Sequence, residues 1–191
     1  MRVLCLYNND CAKPLFHWLK NEGHETTLCS SRLTGKECEL QRFDLVVAYT
    51  YRYIIAEELL QLFRYNVVNL HNSFLPWNRG ADPNLWSILD GSPRGVTLHY
   101  VSSELDKGDI ITQRLVPLSL RDTLKTSYDI LDQEAQQQFR EAFKWYEDWP
   151  KMRKKSLGPG SYHSVKDGDF LHQVIDSYDM PVDEFRKLAK M

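Results

Sequence analysis

Residues 3–7 (VLCLY) form a short, almost unbroken apolar run, the pattern of a strand buried on both faces. Asn8, Asn9 and Asp10 follow with turn chemistry and offer a helix cap. Residues 14–24 (PLFHWLKNEGH) carry helical spacing, with Pro14 tolerated in the first turn and Gly23 in the stop position. Residues 25–29 predict a second, weaker strand, and 30–41 a polar connection of little periodicity. The next buried run is 43–49 (FDLVVAY). Residues 55–63 (IAEELLQLF) predict a helix with Ile55, Leu59, Leu62 and Phe63 on one face, and 67–70 (VVNL) a strand ending at His71. Strands alternating with helices imply a parallel sheet with right-handed crossovers. Ligands gather beyond the carboxyl ends of such strands. Asn8, residues 49–53 and residues 69–71 all lie at those ends.

The pattern then changes. Residues 72–83 read as a loop with two prolines, and 84–91 (NLWSILDG) as a short helix stopped by Gly91. Residues 95–101 (GVTLHYV) alternate, with Val96, Leu98 and Tyr100 on one side. Residues 109–116 are strand-like too, and the acidic stretch 102–109 (SSELDKGD) joins the two as an antiparallel hairpin with a long loop. One long helix is predicted over 123–149, striped by Leu124, Tyr128, Leu131, Ala135, Phe139 and Phe143. The basic cluster 151–155 (KMRKK) reads as its solvated end, 157–169 as a Gly/Pro loop, and 182–190 as a last amphipathic piece. The expected fold class is α/β: a Rossmann-like, mostly parallel sheet with an antiparallel hairpin in its C-terminal part, flanked by helices, plus a C-terminal helical tail. A core over 1–120 and a helix-and-loop extension over 121–191 packed on it are the expected units.

Composition narrows the classes. The 191 residues are 42% hydrophobic and 26% charged, enough for a packed core. Lys plus Arg is 24 against 26 Asp plus Glu, a net charge of −2, which argues against a nucleic-acid backbone binder. Cys5, Cys11, Cys29 and Cys38 show no CxxC spacing, so neither a disulfide framework nor a metal site is expected. No run approaches the ~20 apolar residues of a membrane span, and the N-terminus enters a strand directly. A soluble protein of a reducing compartment, the cytoplasm, is expected.

Residues two apart in a strand share a face, so Asn69 and His71 aim together at the rim of the sheet. An amide donor beside an imidazole suits a developing oxyanion and a moving proton. An Asp of the acidic loop would orient the imidazole or raise its pKa. Three strings carry more: Asn69-x-His71-x-Ser73-x-Leu75-Pro76, then Arg79-Gly80-Ala81-x-Pro83-x-x-Trp86, then Leu105-Asp106-x-Gly108-Asp109-Ile110. In combination they resemble the formyltransferases that use 10-formyltetrahydrofolate, a family that includes methionyl-tRNA formyltransferase, glycinamide ribonucleotide transformylase and the sugar N-formyltransferases. The resemblance implies Asn69, His71 and Asp106 as the catalytic trio. It implies a folate site formed by the main chain around Tyr51, Arg52, Tyr53 and Ile54 and around Ser103, Glu104 and Leu105, with 10-formyltetrahydrofolate as donor.

The acceptor is narrowed by departures from the family's branches. The first strand leads into Tyr7-Asn8-Asn9-Asp10-Cys11, with no glycine to let backbone approach a phosphate, against a small ribonucleotide. The roughly 70 residues after the core hold nothing like a tRNA-binding domain. Residues 48–55 and the tail strings 160–163 and 166–167 are similar to the sugar N-formyltransferases, which implies an amino sugar on a nucleoside diphosphate, a dTDP-dideoxy-amino-hexose being the first expectation. Asn8, Asn9, Asp10, Trp77, Arg79, Tyr162, His163 and Lys166 are the candidate contacts to that substrate. No nucleic acid, membrane or metal is expected, and a homodimer is the candidate assembly. The alternatives are another small amine, such as glycinamide ribonucleotide, or a nucleotide-binding α/β module without turnover.

Overall fold

Four of the predicted strands run parallel: β1 (Arg2–Leu6), β2 (Glu25–Cys29), β3 (Leu45–Tyr49) and β4 (Val67–His71). In this computed structural model, which describes residues 1–35, 43–119 and 121–191, a two-residue strand β5 (Arg79–Gly80) stands apart. The antiparallel hairpin β6 (Gly95–Tyr100) and β7 (Ile110–Leu115) extends the sheet from β4, giving the order β2-β1-β3-β4-β6-β7. β5 pairs in parallel with β8 (Tyr162–His163), far along the chain.

The helices are α1 (Lys13–Asn21), α2 (Glu57–Leu62), α3 (Pro83–Asp90), α4 (Leu124–Phe143), the single turn α5 (Trp149–Met152), α6 (Asp169–Gln173) and α7 (Val182–Leu188). One face of the sheet, with Val3, Val47, Leu70, Val96 and Leu98, packs on α1 and α4 through Leu15, Phe16, Leu131 and Phe139. The other, with Leu4, Val46, Ala48 and Val67, packs on Ile55, Leu59, Leu60 and Phe63. Beside them, Leu85, Ile88, Leu124, Val182 and Phe185 bind α3 and α7 together.

Three expectations need correction. On α2 it is Leu60 that is buried, while Leu62 is exposed, because the helix starts only at Glu57 and turns the 59–60–63 edge inward. The long helix stops at Phe143. The Trp149 indole folds back and donates to the Ala142 carbonyl at 3.0 Å, and Pro150 sits in the first turn of the separate α5, where its missing N–H is tolerated. The basic cluster is only in part a solvated helix end: Lys151 lies exposed at the end of α5 and pairs with Asp148 at 2.7 Å, but the residues after it turn to the sheet. Lys154 exchanges both backbone hydrogen bonds with Ile110, Lys155 pairs with Asp109 at 2.8 Å, and Arg153 lies 3.7 Å over the Tyr100 ring. Cys5, Cys11 and Cys29 are free thiols; Cys38 and part of the 30–41 connection lie outside the described residues. Burial lifts Cys5 to about 12.

Arg94 locks the hairpin to the helices; among the described residues it forms no ion pair, although the Asp122 charge reaches it. It donates to Asn84 Oδ1 and to the carbonyls of Val116, Pro117 and Ser127, and burial lowers it to about 10, still protonated at neutral pH. Arg94→Met leaves these acceptors without a donor, and ~2–4 kcal/mol of stability should be lost in urea unfolding. A loss below about 1 kcal/mol would mean that water replaces the guanidinium.

Candidate functional site

β4 and β6 bring the chemistry together by register. Asn69 lies opposite His99, and His71 opposite Thr97. Alternation sends Leu70, Val96, Leu98 and Tyr100 to the face covered by α1 and α4, so Asn69, His71, Thr97 and His99 share the other face. The loop after β6 folds back over them. Asp106 takes a left-handed conformation (φ 51°), and Gly108 passes so close to β6 that a Cβ would lie 1.7 Å from the Tyr100 carbonyl oxygen. Any other residue at 108 would push the loop off the strand.

Asp106 thus enters the sheet rim buried. Its Oδ2 accepts the Gly80 N–H at 2.9 Å and lies 3.7 Å from His71 Nε2, and its Oδ1 lies 3.6 Å from His99 Nε2. Burial works to raise the carboxyl, but His71, His99, the Gly80 amide and Arg79 outweigh it and hold the group below its usual value. Asp106 is therefore a carboxylate across the neutral range.

The two imidazoles have assignable protons. A carbonyl only accepts, so His71 Nε2, 3.0 Å from the Asn78 oxygen, carries hydrogen. His99 Nδ1, 2.8 Å from the Tyr100 oxygen, carries hydrogen likewise. Burial depresses His99, the Asp106 charge pulls it up and His71 adds repulsion; the balance is downward, so His99 is neutral at neutral pH. Its Nε2 lone pair then accepts from Asn69 Nδ2 at 3.3 Å. This fixes the Asn69 amide and leaves its second N–H for another acceptor. His99 was not among the sequence candidates. The signal was available in GVTLHYV, where His99 falls opposite the apolar positions.

The remaining candidates fall into distinct surroundings. Tyr51 hydroxyl donates to the Ser31 carbonyl at 2.9 Å, accepts the Leu33 N–H at 3.0 Å, and its ring meets Tyr53 edge-on. The Arg52 guanidinium bonds the Tyr53 hydroxyl at 3.1 Å. Ile54 is 75% exposed and Leu105 45%, both apolar surface available to a ligand. Ser103 is exposed, and Glu104 is ion-paired with Lys107.

Asn8 is a structural clip, donating to the Ser30 carbonyl at 2.7 Å and accepting the Arg52 N–H at 2.9 Å. Asn9 caps the next turn by accepting the Cys11 N–H, and Asp10 pairs with Lys13. Trp77 is half-buried. β5 pairing places Arg79 beside Tyr162, and the His163 ring stacks on Trp86 at 3.8 Å. Arg79 Nε is buried without a hydrogen-bond partner, and Arg79 forms no ion pair among the described residues. Lys166 is exposed in the turn before α6. Among the described residues no group of His, Cys, Asp or Glu could hold a metal, and no helix is long and apolar enough to cross a membrane.

An open α/β sheet thus gathers a carboxamide, two imidazoles and a buried carboxylate at its rim, groups suited to an anionic oxygen and a moving proton. The formyl transferase family model matches residues 8–143, and the chain belongs to that family. Methionyl-tRNA formyltransferase of Fusobacterium nucleatum is 37% identical over 97 residues, 50% of this chain and 31% of that protein. The enzyme of the same name from Listeria monocytogenes is 38% identical over 89 residues, 46% of this chain and 28% of that one. The chain spans about a third of the length of these curated relatives. The formyltransferase PseJ from Anoxybacillus kamchatkensis, solved with UDP-4,6-dideoxy-4-formamido-L-AltNAc and tetrahydrofolate, superposes with a TM-score of 0.86. It is 37% identical, covering 99% of this chain and 100% of that one. Rv3404c of Mycobacterium tuberculosis, a likely sugar N-formyltransferase, gives a TM-score of 0.80 at 25% identity over 100% of this chain and 87% of that one.

The assigned tautomers are testable without substrate. In an NMR titration of the uniformly 15N-labelled protein, His99 should protonate below the usual histidine value of about 6.5, and the Asn69 side-chain amide should shift with the same midpoint. In His99→Gln that amide response should vanish. A His99 midpoint above 6.5 would mean that the Asp106 charge outweighs burial.

Proposed function

We propose that this protein transfers a formyl group from 10-formyltetrahydrofolate to the primary amine of a nucleotide-linked amino sugar. The observation that carries the reading is the approach of His71 and Asp106, 35 positions apart in the chain, to 3.7 Å, with Asn69 on the same face of the sheet and tied to His99 beside them. The similarity to PseJ over nearly the whole of both chains supports the sugar-nucleotide acceptor, since that structure holds a formamido sugar on UDP beside tetrahydrofolate. The unpaired Arg79 guanidinium, whose charge reaches both Glu104 and Asp106, supports an anionic substrate.

In this reading the neutral acceptor amine attacks the formyl carbon. The free N–H of Asn69 holds the oxygen as it becomes an anion, and His71 joins it once its Nδ1 has taken the proton from the amine. The proton lost from the amine passes, directly or through water, by way of His71 and Asp106 to the departing N10 nitrogen. The bond between that nitrogen and the formyl carbon then breaks, leaving a formamide and an N–H on the folate. His71 takes part through Nδ1, because Nε2 is turned to the Asn78 carbonyl and Asp106. Asp106 balances the charge of the imidazolium while it lasts. The exposed Ile54 and Leu105 fit a folate, whose flat ring needs apolar cover.

Trp77, Arg79, Tyr162, His163 and Lys166 are the proposed walls of the acceptor site, with Asn9 and Asp10 at its margin; Asn8 acts by holding the Arg52 backbone. We read 121–191 as an extension of a core over 1–120. The free thiols suit a reaction in the cytoplasm.

Incubation with 10-formyltetrahydrofolate and a panel of UDP- and dTDP-linked amino sugars, following folate absorbance, tests the reading. Turnover should appear with a nucleotide sugar and not with glycinamide ribonucleotide; the reverse would overturn the acceptor. Asn69→Ala should cut turnover by ~10²–10³ with donor affinity little changed. Donor binding lost in parallel with turnover would remove Asn69 from the oxyanion role.

A further inference from the structure

The groups that fix His71 and Asp106 sit two residues apart: the Asn78 carbonyl and the Gly80 N–H. Asn78 is fully buried and left-handed at φ 51°, a conformation that a non-glycine residue keeps only when its neighbours impose it. One of those neighbours is Ser92, whose Oγ accepts from Asn78 Nδ2 at 2.7 Å; the other comes from the C-terminal part of the chain. Ser161 Oγ accepts the Asn78 N–H at 2.8 Å and donates to Asn78 Oδ1 at 2.9 Å, holding this residue from both ends. Ser161 N–H donates to the Pro76 carbonyl, and its own carbonyl accepts from Arg79 N–H at 3.0 Å. Gly160 permits the approach, since a Cβ there would lie 2.0 Å from the Pro76 oxygen.

We infer that Ser161 is a positioning residue for the reaction. Through Asn78 it aims the carbonyl that keeps the His71 hydrogen on Nε2 and so leaves Nδ1 to the reactants. The inference rests on the reading of His71 as catalytic. Without the Ser161 hydroxyl, Asn78 loses the bonds to its N–H and Oδ1, the left-handed turn relaxes, and the His71 ring samples the other tautomer.

The full chain labelled with 15N-histidine is compared as wild type, Ser161→Ala and Ser161→Thr at about pH 8.5, where unpaired imidazoles are neutral. His71→Gln identifies the resonances. Wild type and Ser161→Thr should show His71 as a single Nε2–H tautomer, and Ser161→Ala a mixture. With the acceptor identified above, kcat should fall about three- to tenfold in Ser161→Ala, with KM for the folate within about twofold, and recover in Ser161→Thr. A single Nε2–H tautomer in Ser161→Ala, or the same mixture in Ser161→Thr, overturns the inference. Absence of turnover in wild type would instead remove the catalytic reading, because the tautomer is read without substrate.

Discussion

A carboxylate buried at the rim of a sheet must be matched by donors or it will not stay charged. Asp106 meets that condition through the Gly80 N–H and the nearby hydrogen on His71 Nε2, with the Arg79 charge adding to them. Each match constrains something else: Gly80 must present its amide, Gly108 must let the loop descend onto β6, and His71 and His99 must stand on adjacent strands. The chain therefore has little freedom between residues 69 and 109. The same low-dielectric surroundings that make an unmatched carboxylate costly make a matched one effective at stabilising an imidazolium that lasts only during a proton transfer.

Two histidines flank Asp106, and their backbone partners divide the work. Each gives one ring hydrogen to a carbonyl, but the two use opposite nitrogens, His71 its Nε2 and His99 its Nδ1. His71 keeps its hydrogen on the side of Asp106 and presents Nδ1 elsewhere. His99 presents a lone pair to Asn69 and so decides which edge of that amide is spent. The rim thus combines a fixed amide donor with a ring able to exchange a proton.

Apart from β2, whose run ETTLC is weak, the sheet was legible because its strands carry apolar or alternating runs, and because Gly23 and Gly91, both left-handed here, end their helices as expected. Asn69 and His71 were legible through the same alternation; Asp106 needed the motif resemblance, since a hairpin loop has no periodicity to reveal that it folds back. His99 was hidden inside a run that reads as core. The break after Phe143 was missed because the apolar stripe continues to Trp149, and only the indole's return to Ala142 shows why. The partnership of Arg79 with Tyr162 was beyond sequence patterns, because two-residue strands 83 residues apart carry no local signal.

That short pairing matters for direction more than for energy. The amides of Arg79 and Ala81 turn toward the C-terminal segment, to the carbonyls of Ser161 and His163. The Asn78 carbonyl and the Gly80 amide turn the opposite way, to His71 and Asp106. One stretch of backbone thus has an edge satisfied by another strand and an edge satisfied by side chains of the reacting centre. A loop with neither edge paired could offer the same groups only by paying the entropy of ordering them at each encounter. Pairing one edge with residues 161–163 orders the other in advance, so the geometry around His71 and Asp106 depends on residues that lie more than fifty positions beyond either of them.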